Sequence, residues 1–335
     1  MSLKDLRGRP LHDLRISVTD RCNFRCTYCM PREHFDTEHS FLPRKELLSY
    51  EEITEVVRGI LPLGLRKIRL TGGEPLLRKN IVGLISQLRG LNDSVDIALT
   101  TNGALLLQHA KTLHEAGLDR VTVSLDAMDH ELFQSMADNT MWTPNDIIEG
   151  ILEAKRVGLG IKVNTVVKKG LNENQILPLF EQFHKLAIPL RFIEYMGVGN
   201  TNSWNMKDVV SGKEIRELIE SEYGQLSPIP SSVRGEVAKR FSLPDGYEIG
   251  CIESVTSPFC GDCTRARLSA NGALYTCLFA SRGNDLKTIL RMGATSEEVS
   301  MAIKDIWNKR SDRYSEERSE QSEPREKVEM SFIGG

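Results

Sequence analysis

Between residues 14 and 195 the chain repeats one unit: a short β-branched run, then a longer stretch whose apolar residues recur every three to four positions. The runs fall at 14–18, 67–70, 95–100, 120–124, 161–167 and 190–195. The stretches between them fall at 50–61, 81–91, 104–116, 144–157 and 175–186. Ile53, Val56, Val57 and Ile60 show the helical spacing. Strands that alternate with helices pair in parallel through right-handed crossovers. The expected fold class is therefore α/β, a partial (β/α)6 barrel of the TIM type with its chemistry at the C-terminal ends of the strands. A doubly wound sheet has the same periodicity and stays open at this point.

The rhythm stops near Gly197. Helices are expected at 212–222, 285–291 and 296–309, and strand-like segments at 237–241 and 247–252. Pro228 and Pro230 mark a turn-rich stretch. Residues 311–327 are charged and nearly free of apolar side chains, so they are expected to be exposed or disordered. Three regions follow: a barrel core at 1–196, a second region at 197–310 and a charged tail at 311–335. A net charge of -3 gives no basic field for nucleic acid. No apolar run approaches the ~20 residues of a membrane span, and the first residues lack the apolar core of a signal peptide. The cytoplasm is the expected compartment.

Seven cysteines fall mainly in two places far apart, too few and too clustered for a disulfide framework. Cys22, Cys26 and Cys29 follow the first strand with spacing C-x3-C-x2-C. Three thiolates can hold three irons of a 4Fe-4S cube and leave the fourth open. An open iron can chelate the amino and carboxylate groups of S-adenosylmethionine (SAM) and pass an electron to its sulfonium. A zinc knuckle and scattered core thiols are the alternatives. After the second strand comes Thr71-Gly72-Gly73-Glu74-Pro75, whose glycines let backbone approach a ligand.

Cys260, Cys263 and Cys277 form the second group, C-x2-C-x13-C. Asn271-Gly272 reads as a two-residue hairpin turn that sets Cys277 opposite Ala266. A second cluster with an open iron could bind a substrate directly. The alternative is a closed site with Cys251 as fourth ligand, holding zinc or a complete cluster. Arg265 and Arg267 lie on one face of the hairpin strand. Arg15 with Ser17, Lys67 with Arg69 and Thr71, and Lys162 with Asn164 each share a face of a barrel strand. Unpaired buried charge is costly, so a polyanion is expected there, and a triphosphate fits.

The first cysteine spacing, with Tyr28 before the third cysteine, resembles the radical SAM superfamily. The two cysteine groups, their order and the Gly334-Gly335 end together resemble the GTP 3',8-cyclase family of molybdenum cofactor biosynthesis, a lyase family, over nearly the whole chain. The resemblance implies two 4Fe-4S clusters, one on Cys22, Cys26 and Cys29 that binds SAM, one on Cys260, Cys263 and Cys277 that meets the guanine of GTP. It implies SAM contacts from Tyr28, Gly72, Gly73, Glu74, Ser124 and Met196. It implies GTP contacts from Arg15, Arg69, Thr100, Lys162, Arg265 and Arg267, with Thr101 as the neighbour to which the Thr100 role could slip. Gly334 and Gly335 resemble a tail that enters the active site and takes part in catalysis. The implied reaction takes a hydrogen from ribose C3' and joins that carbon to guanine C8. A homodimer, and a downstream cyclic pyranopterin monophosphate synthase, are further family expectations, whereas the electron donor is left open. Another two-cluster radical SAM enzyme and a non-catalytic iron–sulfur redox sensor or zinc-stapled module are the rival readings.

Overall fold

The six β-branched runs form β1 (Asp13–Ser17), β2 (Lys67–Thr71), β3 (Asp96–Thr101), β4 (Arg120–Ser124), β5 (Gly160–Val167) and β6 (Leu190–Glu194). They belong to a computed structural model that describes residues 3–202, 204–317 and 327–334. The strands pair in chain order, all parallel. Helices α1 (Tyr50–Ile60), α2 (Ile81–Leu91), α3 (Leu106–Glu115), α4 (His130–Ala137), α5 (Pro144–Arg156) and α6 (Ile176–Lys185) connect them. Capping boxes start α1 at Ser49/Glu52 and α5 at Thr143/Asp146, where each of the two side chains accepts from the other residue's backbone N–H.

Helix α4 is an addition to the sequence expectation. Asp129 caps it by accepting from Leu132 N at 2.8 Å, and Asp138 ends it in the left-handed conformation. Phe133, Met136 and Ala137 are its buried face.

The second half of the chain does not stand apart from this sheet. It supplies β7 (Ser227–Ile229), β8 (Lys239–Ser242), β9 (Glu248–Ile252), β10 (Arg265–Leu268), β11 (Ala273–Tyr275) and β12 (Asn284–Asp285). The order across the sheet is β12-β11-β10-β1-β2-β3-β4-β5-β6-β9-β8-β7. Strand β9 pairs in parallel with β6, and β10 in parallel with β1. The six-strand arc is thus lengthened at both edges. Helix α7 (Gly212–Tyr223) lies near β6 and α6, and the pair α8 (Lys287–Arg291) and α9 (Ser296–Asn308) follows, with α9 packed on α1. Two one-turn helices, α10 (Tyr314–Glu317) and α11 (Met330–Ile333), complete the chain. No helix among the described residues is long and apolar enough to cross a membrane.

Alternation along the strands sorts their side chains. Leu14, Ile16, Ile68, Leu70, Leu99, Val121, Val123 and Val163 are fully buried against the helices, each worth roughly 1.5–3 kcal/mol of burial. The alternate positions, among them Arg15, Arg69, Thr100, Ser124 and Asn164, line a cavity. A plain parallel scaffold would be apolar on both faces, so the polar inner face belongs to a site.

The hairpin departs from expectation by one residue. Arg267 pairs with Tyr275 and Leu268 with Leu274. Ser269 N donates to Ala273 O and Gly272 N to Ser269 O, both at 2.9 Å. The loop therefore holds three residues, Ala270, Asn271 and Gly272, with Gly272 at φ 87° as the left-handed residue. The register carries Thr276, not Cys277, to the level of Ala266.

In the tail, residues 318–326 lie outside the described residues. The expectation of exposure fails at Asp312, whose carboxylate accepts from Thr276 Oγ1 at 2.7 Å. The chain returns at Lys327, which donates from Nζ to Gly197 O at 2.9 Å.

Candidate active site

All six clustered cysteines line one cavity of about 310 Å3. Cys22, Cys26 and Cys29 stand on the loop after β1. Cys263 stands two residues before β10, and Cys277 two residues after β11. Strand β10 runs parallel to β1 with Arg265 level with Asp13. The first group therefore lies past the C-terminal end of β1, while Cys263 and Cys277 lie at the N-terminal end of β10. The two groups face one cavity from opposite ends of these strands although they are distant in sequence. The first loop is moulded by α4: Arg25 N donates to Ala137 O at 2.9 Å and Thr27 N to Met136 O at 3.0 Å. Phe24 meets Phe133 edge-on at 6.1 Å.

Gly72 and Gly73 serve the same loop. Gly73 N donates to Thr19 O and Glu74 N to Arg21 O, both at 2.8 Å. A methyl group at Gly72 would overlap Thr19 O, and one at Gly73 would overlap Arg21 O. The close approach is thus backbone on backbone, where the sequence suggested backbone on ligand, although both glycines also line the cavity. Glu74 is turned away from the cavity. It is fully buried and accepts from Leu76 N at 3.0 Å, Thr101 Oγ1 at 2.9 Å and Asn102 N at 2.8 Å. Burial holds its carboxyl up at about 7 in spite of those three donors.

Tyr28, Ser124 and Met196 line the cavity. The Tyr28 hydroxyl donates to Asp126 Oδ2 at 2.5 Å, and Asp126 Oδ1 accepts from Val166 N at 2.8 Å. Asp126 is buried and its carboxyl is pushed up to about 6. Sequence reasoning missed Asp126, although it sits two residues past Ser124, where barrel chemistry gathers. Met196 O accepts from Asn202 Nδ2 at 3.1 Å.

Opposite these groups lies a row of cations. Arg267, Arg15 and Arg69 are register neighbours across β10, β1 and β2. Burial and the nearby charges of Arg267 and Arg69 drive Arg15 well below the ordinary guanidinium range. Arg69 and Arg267 are pulled down to about 10, chiefly by burial. Arg69 Nη1 donates to Thr100 Oγ1 at 3.1 Å, while Thr101 is taken up by Glu74, so Thr100 is the threonine beside the arginines. Arg265 Nη1 donates to Gly235 O at 2.9 Å. Lys162 pairs in register with Thr122, itself the partner of Thr100, and is pulled down to about 8 by burial and then by Arg191 and Arg120. Those two arginines were missed, although Arg191 breaks the apolar run of β6 at an inward position. Asn164 Oδ1 is buried with no partner. Such a row is self-repelling and waits for an anion.

Residues 16–183 match the radical SAM superfamily, and residues 188–316 match the family described as Molybdenum Cofactor Synthesis C. The GTP 3',8-cyclase of Staphylococcus haemolyticus is 46% identical over 338 residues, covering 99% of each chain. The chain belongs to the GTP 3',8-cyclase family. GTP 3',8-cyclases of Staphylococcus epidermidis and Staphylococcus aureus are likewise 46% identical over 99% of both chains. Streptococcus suis SuiB bound to S-adenosylmethionine superposes with a TM-score of 0.62 at 15% identity, over 89% of this chain and 65% of that one. SuiB bound to precursor peptide SuiA gives 0.61 at 16%. At those identities the likeness speaks for the fold alone.

As a member of the radical SAM superfamily, a GTP 3',8-cyclase family chain implies a 4Fe-4S cluster and SAM. The residues present fit them. Three thiols border a cavity, and among the described residues no three ligand side chains close on one ion. A cube suits that spread, since each thiolate grips a different iron. Burial raises Cys22 and Cys29 to about 12, so iron must displace their protons. Cys263 differs: burial raises it, but Arg265 and Arg310 outweigh burial and bring it to about 7. Cys251 takes no part in either group. It pairs across from Phe192, is buried, and its thiol lies 3.8 Å from Gly212 O, away from the cavity that its neighbour Ile252 lines. The closed site with Cys251 as fourth ligand is therefore not formed. Arg267 Nη1 donates to Gly334 O, and Gly334 packs on Thr71. Gly335 lies outside the described residues.

Proposed function

We propose that this chain cyclises GTP to (8S)-3',8-cyclo-7,8-dihydroguanosine 5'-triphosphate, the first step of molybdenum cofactor biosynthesis. The observation that carries the reading is the union of two cysteine triads and a row of unmatched arginines in one cavity. When bound, SAM and its cluster supply a 5'-deoxyadenosyl radical, and a second cluster supplies an iron position for guanine.

The chain's own part is to bind, orient and exclude water. Cys22, Cys26 and Cys29 hold the SAM cluster, and Cys260, Cys263 and Cys277 hold the second. Tyr28, Gly73, Ser124 and Met196 position SAM, with Gly72 and Glu74 keeping the turn against the cysteine loop. Arg15, Arg69, Thr100, Lys162, Arg265 and Arg267 take the triphosphate and ribose. Fixed guanidiniums suit phosphate because they match its oxygens in pairs. Gly334 brings the tail to Arg267, and the terminal Gly-Gly takes part in catalysis. The enzyme works in the cytoplasm as a homodimer, and a cyclic pyranopterin monophosphate synthase consumes its product.

The test is anaerobic reconstitution with iron and sulfide, then incubation with dithionite, SAM and GTP. Mass spectrometry should find 5'-deoxyadenosine and a cyclised nucleotide together. Deoxyadenosine alone would retain the radical chemistry and remove GTP as substrate. Neither product from a chain with about eight irons would favour the redox-sensor reading.

A further inference from the structure

Two buried arginines outside the catalytic cavity grip the second cysteine group from behind. Arg9 is fully buried and comes from the first ten residues, and Arg310 follows α9 and is nearly so. Arg9 Nη1 donates to Cys260 O at 2.9 Å and to Asp312 O at 2.8 Å. Arg310 Nη1 donates to Cys263 O at 2.9 Å. Asp5 and Asp312 hold the two guanidiniums: Arg9 Nε meets Asp5 Oδ2 at 2.6 Å, and Arg310 Nε meets Asp312 Oδ1 at 3.2 Å. Asp312 Oδ2 accepts from Thr276, the residue before Cys277.

Each of the three cysteines is thus tied, at its own carbonyl or through its neighbour, to one four-residue network in which Asp5, Arg9 and Arg310 are buried and Asp312 is half-buried. Burial of that much charge is expensive, and apolar residues of like volume often do the structural work as well. Trp307 already seals the spot, with Nε1 donating to Arg9 O at 3.0 Å and the Arg310 guanidinium 4.5 Å from its ring centre. Structure alone therefore gives a weak reason for placing charges there. A cluster on three thiolates gives a better one, since hydrogen bonds and charge near the sulfurs set its reduction potential.

We infer that Arg9, Arg310, Asp5 and Asp312 are positioning residues that shape the second cysteine group and tune the potential of the cluster it holds. The inference rests on the two-cluster reading above. Arg310 favours the reduced, more negative cluster, and Asp312 opposes it. The signs give the test. In the reconstituted full chain, EPR-monitored titration gives the midpoint of the second cluster, with the SAM cluster as internal reference. Arg310→Gln should leave the second cluster about tenfold more oxidised at a fixed potential, equivalent to ~59 mV for one electron. Asp312→Asn should shift it the other way, and Arg310→Lys should return most of the loss.

Opposite shifts with an unmoved SAM-cluster signal support the inference. Shifts of the same sign, or none, overturn it, because a structural scaffold would respond alike to both losses. If Arg310→Gln loses its second cluster, Asp312→Asn and Arg310→Lys decide: an upward shift in the first with near wild-type potential in the second supports tuning, and any other pair overturns it. A wild-type chain with about four irons in place of eight would instead sink the two-cluster reading beneath it.

Discussion

Arg15 is held by its neighbours in an unfavourable place, half-buried in the cavity wall and flanked in register by Arg69 and Arg267. Removing one cation from such a row relieves repulsion and removes a phosphate donor at once. Arg15→Ala should raise or preserve the melting temperature of the ligand-free protein while weakening GTP binding ~10–100-fold, the loss of one charge-assisted hydrogen bond. Calorimetry of both quantities checks this, and parallel loss of stability and affinity would argue that Arg15 is scaffold. Glu74 makes a different prediction. Its ordinary value is about 4.3 and its folded value about 7, so folding favours the neutral acid. That stabilisation is whole below about pH 4.3 and is lost as pH rises through about 7. Between pH 5 and pH 8 the wild-type melting temperature should therefore fall relative to that of Glu74→Gln. Parallel curves would mean that the three donors hold the ionised form after all.

At the scale of elements, the turn at Gly72-Gly73 is the tightest constraint on the first cysteine loop. Gly73→Ala drives a methyl into Arg21 O, a backbone atom that cannot swing away. We expect destabilisation of ~1–3 kcal/mol and loss of the SAM cluster, read as iron content near half that of wild type. Full iron content would show that the loop tolerates the displacement. The last helix makes a complementary case. Deleting Gly334 and Gly335 should abolish cyclisation and leave cluster content intact, and unchanged turnover would refute a catalytic tail.

Periodicity made six strands and their long helices legible, because their apolar faces are regular and deep. It could not show α4, only eight residues long, whose value lies in the carbonyls of Met136 and Ala137 that mould the cysteine loop. Nor could spacing choose between two- and three-residue hairpin loops at Asn271-Gly272, since both admit glycine with positive φ. Individual cysteines, glycines and inward arginines were visible as residue types at fixed offsets. Asp126, Arg191 and the Arg9–Arg310 network were not, because each acts through a partner that only folding brings near.

For the whole molecule, the decisive fact is that one hydrogen-bonded sheet runs across the place where the sequence rhythm stops. Residues 1–196 alone would expose the edges of β1 and β6, which β10 and β9 cover in the full chain. Open parallel edges invite pairing with other copies. A fragment ending at residue 196 should therefore sediment as aggregate, and a soluble, cooperatively melting fragment would show that the first half is a domain in its own right.

The pairing of β10 with β1 also orders events during synthesis. The two strands are about 250 positions apart, so loop closure is slow and must await the late part of the chain. Everything that shapes Cys22, Cys26 and Cys29, from β1 through α4, emerges from the ribosome early. The second triad waits for its own hairpin and then for Asp312, when translation is nearly over. Iron delivery to this protein is thus a sequential problem: a nascent chain can offer one competent docking place long before the other exists.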